Sequence, residues 1–172
     1  MLWPRLARNL LTRPLSEPPP PIDPAEVAEL AARLDATARR RLGRSLAIRQ
    51  VDTGSCNGCE LEISATQNVV HDLERFGLRF VASPRHADVL LVTGPLTRNM
   101  RQALARTRAA TPEPCFIVAV GDCAVDGGVF KGSYAVESEI EAILRPDLVV
   151  PGCPPTPTRI LGGLLTLLAA QE

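Results

Sequence analysis

Residues 115–123 read CFIVAVGDC, an apolar run that ends in a glycine, an aspartate and a cysteine. Four other segments read as strands in the same way: LAIRQVD (46–52), LRFVAS (78–83), DVLLVTG (88–94) and DLVVPG (147–152). The later runs are too continuously apolar for strands with one face in water. Such runs are typical of a parallel sheet that is covered on both faces, so we predict buried parallel strands.

Helical segments alternate with these strands along the chain. They are LEISATQNVVHDLERF (61–76), LTRNMRQALARTRAAT (96–111), AVESEIEAILR (135–145) and TRILGGLLTLLAAQE (158–172). Strand and helix in alternation are typical of a doubly wound α/β domain. We therefore predict a flavodoxin-like α/β fold for residues 45–172, with a mostly parallel sheet and helices on both faces.

Residues 1–44 have a different character and are predicted to form an N-terminal extension. It begins with a short basic amphipathic segment (1–15), which is followed by the proline-rich spacer SEPPPPIDP (16–24). A helix then follows, with Asp23 as its N-cap and Gly43 at its end. The amphipathic segment suits contact with a neighbouring subunit or a membrane surface.

Composition limits the classes of function. The 172 residues carry 19 Lys and Arg against 19 Asp and Glu, so no general attraction to nucleic acid is expected. No apolar stretch reaches the roughly 20 residues that span a bilayer, and the N-terminus does not resemble a signal peptide. We expect a cytoplasmic protein. In that compartment cysteines are metal ligands or catalytic groups more often than disulfides.

Four of the five cysteines follow predicted strands. Cys56 and Cys59 come after the first strand, Cys123 after residues 115–121, and Cys153 after 147–152. Ligands bind beyond the carboxyl ends of strands in such sheets, so these four thiols are predicted to form a metal site. Cys115 begins the strand that Cys123 follows, about 26 Å away at the rise of an extended chain, and is predicted to be a buried packing residue.

Three kinds of site are compatible with cysteines alone. Structural zinc also takes four cysteines, but usually as two close pairs, and here only Cys56 and Cys59 are paired. A thioredoxin-like dithiol would use that C-x-x-C and leave Cys123 and Cys153 unexplained. A [4Fe-4S] cluster takes four thiolates and is favoured. A non-redox zinc-binding scaffold stays open as the alternative.

Four blocks carry a resemblance to a known family: GSCNGCELEI, DVLLVTGPLT, VAVGDCAVDGGVF and VPGCPPTPTRIL. Together they resemble the small iron-sulfur subunit (B-type, 20 kDa-like) shared by membrane-bound group 4 [NiFe] hydrogenases of the formate hydrogenlyase type and by respiratory complex I. The resemblance runs from about residue 51 to 165. Carried over residue by residue, it assigns the ligands of one proximal [4Fe-4S] cluster to Cys56, Cys59, Cys123 and Cys153.

The resemblance also implies a function and partners. Family members relay electrons to or from the active site of a large partner subunit, so we expect a subunit of an oxidoreductase complex with no complete active site of its own. Expected partners are a hydrogenase-like large subunit and other iron-sulfur and membrane subunits, with a quinone at the interface as an alternative. Asn57 and Gly58 separate the first two cysteines, as in the hydrogenase branch, whereas the complex I subunit has adjacent cysteines there.

Two carboxylates lie close to the first ligand pair. Glu60 and Glu62 open the helix after Cys59, where negative charge suits a helix N-terminus. The alternative is that one of them lies beside the cluster, lowers its reduction potential and couples proton movement to electron transfer. Through its complex, the chain is expected at the cytoplasmic face of the inner membrane as a peripheral subunit.

Overall fold

The computed structural model describes residues 43–76, 78–137 and 143–169, together with seven single residues before them, Ala25, Glu29, Ala32, Arg33, Ala36, Arg39 and Arg40. Five strands form one sheet in the order β2-β1-β3-β4-β5, and all paired neighbours are parallel. The strands are β1 (Ala47–Asp52), β2 (Arg79–Phe80), β3 (Val89–Thr93), β4 (Phe116–Val120) and β5 (Leu148–Val150). This is the strand order of the flavodoxin-like doubly wound fold, so the predicted fold class is confirmed.

Four α-helices connect or follow the strands in the described part of the chain. They are α1 (Gly58–Ala65), α2 (Arg98–Ala110), α3 (Cys123–Asp126) and α4 (Pro157–Ala169). Three short 3-10 helices complete the elements, at Leu73–Phe76, Pro84–His86 and Gly128–Phe130. Among the described residues, no helix has the length and apolarity needed to cross a bilayer.

The core lies in two layers, one on each face of the sheet. On β3 the side chains alternate, so that Val89 and Leu91 pack into one cluster with residues of α1 and α4, such as Ile63. Leu90 and Val92 pack into the other cluster, which includes Leu104 of α2. All five residues of β3 are buried, as the continuous apolar run predicts for a central strand. Helices therefore cover both faces, as expected.

The helix predicted over 61–76 is wrong beyond Ala65. Thr66 donates its hydroxyl hydrogen to the carbonyl of Ile63 at 2.6 Å, and the side-chain oxygen of Asn68 accepts the N–H groups of Val70 and His71 at 2.9 and 3.0 Å. Threonine and asparagine side chains that bond nearby backbone compete with the helical ladder. The chain therefore turns here, and helical geometry returns only as a 3-10 turn.

The helix predicted over 135–145 falls partly on residues 138–142, which lie outside the described residues. The described residues on either side of that gap are not helical. Val136 instead forms an antiparallel bridge with Thr97, and the N–H of Glu137 donates to the carbonyl of Leu96 at 2.7 Å. The start of this segment is therefore strand-like, because it pairs with the loop before α2.

Most of the N-terminal extension lies outside the described residues, so its boundary at residue 44 stays a prediction. The seven single residues described in it are helical. Gly43 has a positive φ of 68°, and its N–H donates to the carbonyl of Arg39 at 3.0 Å. Arg44 follows, and its guanidinium donates to the buried carboxylate of Asp88 at 2.6 Å. This ion pair fixes the point at which the chain enters the sheet domain.

Candidate metal centre

The four cysteines predicted as ligands line one cavity at the carboxyl edge of the sheet. The cavity has a volume of about 120 Å³ and is lined by Ser55, Cys56, Gly58, Cys59, Gly94, Asp122, Cys123, Gly152, Cys153 and Pro154. The thiols come from the loops after β1, β4 and β5. Cys123 is buried and Cys59 half-buried, whereas Cys56 and Cys153 are exposed. The structure thus brings together the four thiols that the strand-end rule selects.

Cys115 lies at the opposite end of β4 and does not line this cavity. Its side chain is half-buried rather than fully buried as predicted, and its Sγ lies 3.6 Å from the carbonyl oxygen of Phe116. Burial is the main reason that its pKa is raised to about 11. The thiol is therefore a neutral packing group near neutral pH.

The loop that carries Cys56 and Cys59 is held by side chains at the end of β1. Asp52 accepts the N–H groups of Gly54 and Ser55 on Oδ1, at 2.8 and 2.9 Å. Thr53 is fully buried and donates its hydroxyl hydrogen to the carbonyls that end β3, the nearest at 2.8 Å. These bonds position the turn before the first thiol.

Two glycines lie directly against sulfurs of the predicted ligands. A Cβ at Gly121 would lie 2.5 Å from Sγ of Cys59, and a Cβ at Gly128 would lie 2.8 Å from Sγ of Cys123. Both residues have positive φ, 88° and 49°, a region in which residues other than glycine are strained. Only glycine leaves room for the sulfurs at these two places.

The loops of Cys123 and Cys153 are hydrogen bonded to each other. The N–H of Asp122 donates to the carbonyl of Gly152 at 3.0 Å, and the N–H of Gly152 donates to Oδ1 of Asp122 at 2.8 Å. Asp122 therefore braces the neighbouring loop that carries Cys153.

The electrostatics of the thiols reflect their mutual proximity. Burial is the main reason that the pKa of Cys59 is raised to about 12, and the nearby Glu60 and the three other cysteines contribute to the rise. Burial is also the main reason that the pKa of Cys123 is raised. Four thiolates around one space repel one another, so they need positive charge among them. A bound metal ion would supply that charge, and its binding would release the thiol protons.

The cysteine cavity has room for a cofactor of several atoms. Its volume of about 120 Å³ is about ten times the roughly 10 to 15 Å³ that a cavity needs to hold one water.

The two carboxylates after Cys59 differ in their surroundings. Glu60 is 9% exposed, and neither of its carboxylate oxygens has a hydrogen-bond partner. Glu62 is half-buried. An unpaired buried carboxylate is costly, so Glu60 is the more unusual of the two. The sequence could not distinguish them, because both lie within the first turn and a half of α1.

Sequence reasoning missed the contact of Gly121 with Cys59 and the bonds between Asp122 and Gly152. Both depend on loops that are distant in sequence. The only signal for them was the position of Gly121 and Asp122 directly before Cys123 and of Gly152 directly before Cys153.

Fold and site together define an α/β protein with a cysteine-lined cavity at the carboxyl edge of its sheet. Residues 56–167 match the family described as NADH ubiquinone oxidoreductase, 20 Kd subunit, and the chain belongs to that family. The resemblance inferred from the four sequence blocks is therefore confirmed.

Relatives occur on both branches of the family. Formate hydrogenlyase subunit 7 of Escherichia coli is 42% identical over 149 residues, which cover 87% of this chain and 58% of that protein. The probable membrane-bound hydrogenase subunit mbhJ of Pyrococcus furiosus is 43% identical over 127 residues, or 74% of this chain and 76% of that protein. The B-type subunit of the NADH-quinone oxidoreductase of Desulfovibrio desulfuricans is 43% identical over 109 residues, or 63% and 59%. All three are subunits of oxidoreductases, so the expected class of protein is confirmed.

A solved structure has the same fold. A chain of the membrane-bound sulfane sulfur reductase, described as an archaeal respiratory membrane complex, aligns with a TM-score of 0.65 and 27% identity. The alignment covers 80% of this chain and 74% of that chain. The doubly wound domain is therefore shared with a subunit of a respiratory membrane complex.

Proposed function

We propose that this chain is the electron-transfer small subunit of a membrane-associated [NiFe] hydrogenase-type complex, and that Cys56, Cys59, Cys123 and Cys153 hold one proximal [4Fe-4S] cluster. The observation that carries the proposal is the convergence of these four thiols, from three strand-end loops, on one cavity. When bound, such a cluster accepts and donates single electrons between the active site of a large subunit and other redox groups.

The residues of this chain would hold and shield the cofactor. Cys59 and Cys123 lie on the protected side of the cavity, and Cys56 and Cys153 on the side that is exposed in the isolated chain. Gly121 brings backbone within contact of a sulfur without a side chain between them. Because the solvated side carries two of the four thiols, a partner subunit is needed to exclude water there.

Exposed apolar side chains next to the cysteines support a partner at this edge. Leu61, two residues after Cys59, is 62% exposed, and Val129 is 78% exposed. Tyr134 is 86% exposed, in the turn after the 3-10 helix Gly128–Phe130. We assign this surface, defined by Leu61, Val129 and Tyr134, to the large subunit.

Two observations favour the hydrogenase branch over a B-type subunit of an NADH:quinone oxidoreductase, which is the second candidate. Asn57 and Gly58 separate the first two thiols, and Asn57 adopts a left-handed conformation at φ 72° that starts α1. The similarity to the two hydrogenase subunits extends over 149 and 127 residues, against 109 for the relative from NADH-quinone oxidoreductase. A zinc-binding scaffold is the third candidate and is disfavoured because only two of the four cysteines form a close pair in the sequence.

The proposed location follows from the complex rather than from this chain. The hydrogenase relative from Pyrococcus furiosus and the structural neighbour are named as membrane-bound, which supports peripheral attachment through other subunits. We place the subunit at the cytoplasmic face of the inner membrane. A role of Glu60 or Glu62 in proton coupling stays a prediction, with Glu60 the stronger candidate because its buried oxygens have no partner.

The test uses the complex of the full chain with all its partner subunits, purified without oxygen. We expect hydrogen gas to produce the electron paramagnetic resonance signal of a reduced [4Fe-4S] cluster, and a Cys153→Ala variant to lose it. A signal that appears with NADH and never with hydrogen would favour the second candidate. No signal even with dithionite would contradict the cluster itself.

A further inference from the structure

Asp122 and Gly152 are the residues immediately before Cys123 and Cys153. A reciprocal pair of hydrogen bonds joins them, from the N–H of Asp122 to the carbonyl of Gly152 at 3.0 Å and from the N–H of Gly152 to Oδ1 of Asp122 at 2.8 Å. The two loops are thus hydrogen bonded to each other at the residues that directly precede Cys123 and Cys153.

This pair extends the sheet beyond its last strand residues. β4 and β5 are paired up to Val120 opposite Val150, and the N–H of Gly121 then donates to the carbonyl of Val150 at 2.9 Å. At the next step the carboxylate of Asp122 accepts the N–H of Gly152 in place of a backbone carbonyl. Residues 30 apart in sequence are therefore held in the register of the strands that precede them.

The carboxylate is not used as an ordinary helix cap. An aspartate that directly precedes a helix usually accepts an N–H of the first turn. Asp122 directly precedes α3, but its side chain makes no capping bond, and its own backbone is already helical at φ −61° and ψ −34°. Its carboxylate instead accepts the N–H of Gly152 in the loop of Cys153.

The two pairs of thiols differ in how they are held. Cys56 and Cys59 share one turn, so their spacing is set locally. Cys123 and Cys153 come singly from separate loops, and their spacing depends on contacts between those loops. Asp122 supplies two such contacts directly beside the thiols.

We propose that Asp122 is a positioning residue that sets the separation of Cys123 and Cys153, and through it the geometry and retention of the cofactor. This inference rests on the proposed function, in which both thiols bind the same cluster. The acceptor position of one carboxylate oxygen, and not the charge, is the property that matters.

The test compares four variants in the full chain assembled with its partner subunits. Asp122→Ala removes the acceptor, and Asp122→Asn keeps an oxygen in the same place without charge. Asp122→Glu keeps the charge but moves the oxygen by one methylene. Asp126→Asn removes a nearby exposed charge that pairs with Lys131, and it serves as the control.

We expect Asp122→Ala and Asp122→Glu to shift the g values of the reduced cluster and to release iron to a chelator faster. The acceleration should be about five- to tenfold, the order expected for one lost hydrogen bond of about 1 to 1.5 kcal/mol. Asp122→Asn and Asp126→Asn should match wild type in both measurements. Rescue by glutamate and not by asparagine would overturn the proposal, because charge would then be the relevant property. Wild-type behaviour of Asp122→Ala would also overturn it.

A second measurement does not depend on the cluster. Amide hydrogen exchange at Gly152 should be slow in the wild-type chain and in Asp122→Asn, and fast in Asp122→Ala. Equal exchange in all three would overturn the brace. Wild-type protein without iron and sulfide would instead contradict the proposed function, and the exchange measurement would still decide whether the brace exists.

Discussion

Substitution of Gly121 by alanine should damage the metal centre while leaving the domain folded. The new Cβ would lie 2.5 Å from Sγ of Cys59, and ordinary contact begins at 3.4 Å, so the sulfur has to move by about 0.9 Å. Metal sites tolerate deviations of only about 0.2 Å in ligand distances. The backbone at residue 121 has little room to move away from the sulfur, because the carbonyl oxygen of Gly152 would lie 3.4 Å from the same Cβ.

The substitution has a second cost, which a matched control isolates. Gly121 has a φ of 88°, and alanine in a left-handed conformation costs about 1 to 2 kcal/mol. Gly132 has a nearly equal φ of 83°, but a Cβ there would meet no atom within 4 Å. Gly132→Ala therefore carries the backbone strain without the contact with sulfur.

The assay is iron and acid-labile sulfide content, measured beside the thermal unfolding temperature of each variant in the assembled complex. We expect Gly132→Ala to lower the unfolding temperature by a few degrees, and Gly121→Ala to lower it more, because the contact with sulfur adds to the same backbone strain. Only Gly121→Ala should lose most of its iron and sulfide. Full iron content in Gly121→Ala, equal to that of Gly132→Ala, would refute the argument that this glycine makes room for a ligand sulfur.

Three further predictions follow from the site and its surroundings. Val129→Asp should weaken association with the large partner at least about tenfold, since it places a charge on the assigned surface. Val69→Asp, at a valine that is 99% exposed in the turn after α1, should not weaken it. Equal binding of both variants in a pull-down titration would reject that surface. Glu60→Gln should raise the reduction potential of the cluster by on the order of 50 mV, because removal of a buried negative charge favours the added electron. Glu62→Gln should raise the potential less. A redox titration with no shift for Glu60→Gln would contradict this prediction. Alkylation of Cys115 in the folded chain should keep accelerating up to about pH 11, because its raised pKa delays formation of the reactive thiolate. In urea the alkylation rate should level off above about pH 9. A plateau near pH 9 in the folded chain would show that the thiol is not shielded.

The fold is largely predictable from the apolar runs. The five-residue strand β3 is buried throughout, and its run DVLLVTG has no polar alternation, so the sequence directly indicates a strand covered on both faces. The same logic places the four thiols at one edge, because parallel strands share a carboxyl edge. Periodicity does not show where local side chains end a helix, which is why the predicted helix extends beyond α1. Thr66 and Asn68 decide that end through their own hydrogen bonds.

The details of the site depend on contacts that the sequence does not show and the three-dimensional structure does. Glu60 and Glu62 look alike in the sequence, yet one is buried without a partner and the other is half-buried. Gly121 is a turn residue in the sequence and a contact for a sulfur from another loop in the structure. Contacts between separate loops leave no periodic pattern, so residue spacing alone could not predict them.

The most direct test of the central claim is the metal and acid-labile sulfide content of the full chain, purified without oxygen together with its partner subunits. The account predicts about four iron and four sulfide per chain, the content of one cluster on four cysteines. Single substitution of Cys56, Cys59, Cys123 or Cys153 by alanine should reduce both, whereas Cys115→Ala should not. One zinc per chain and no sulfide would contradict the account.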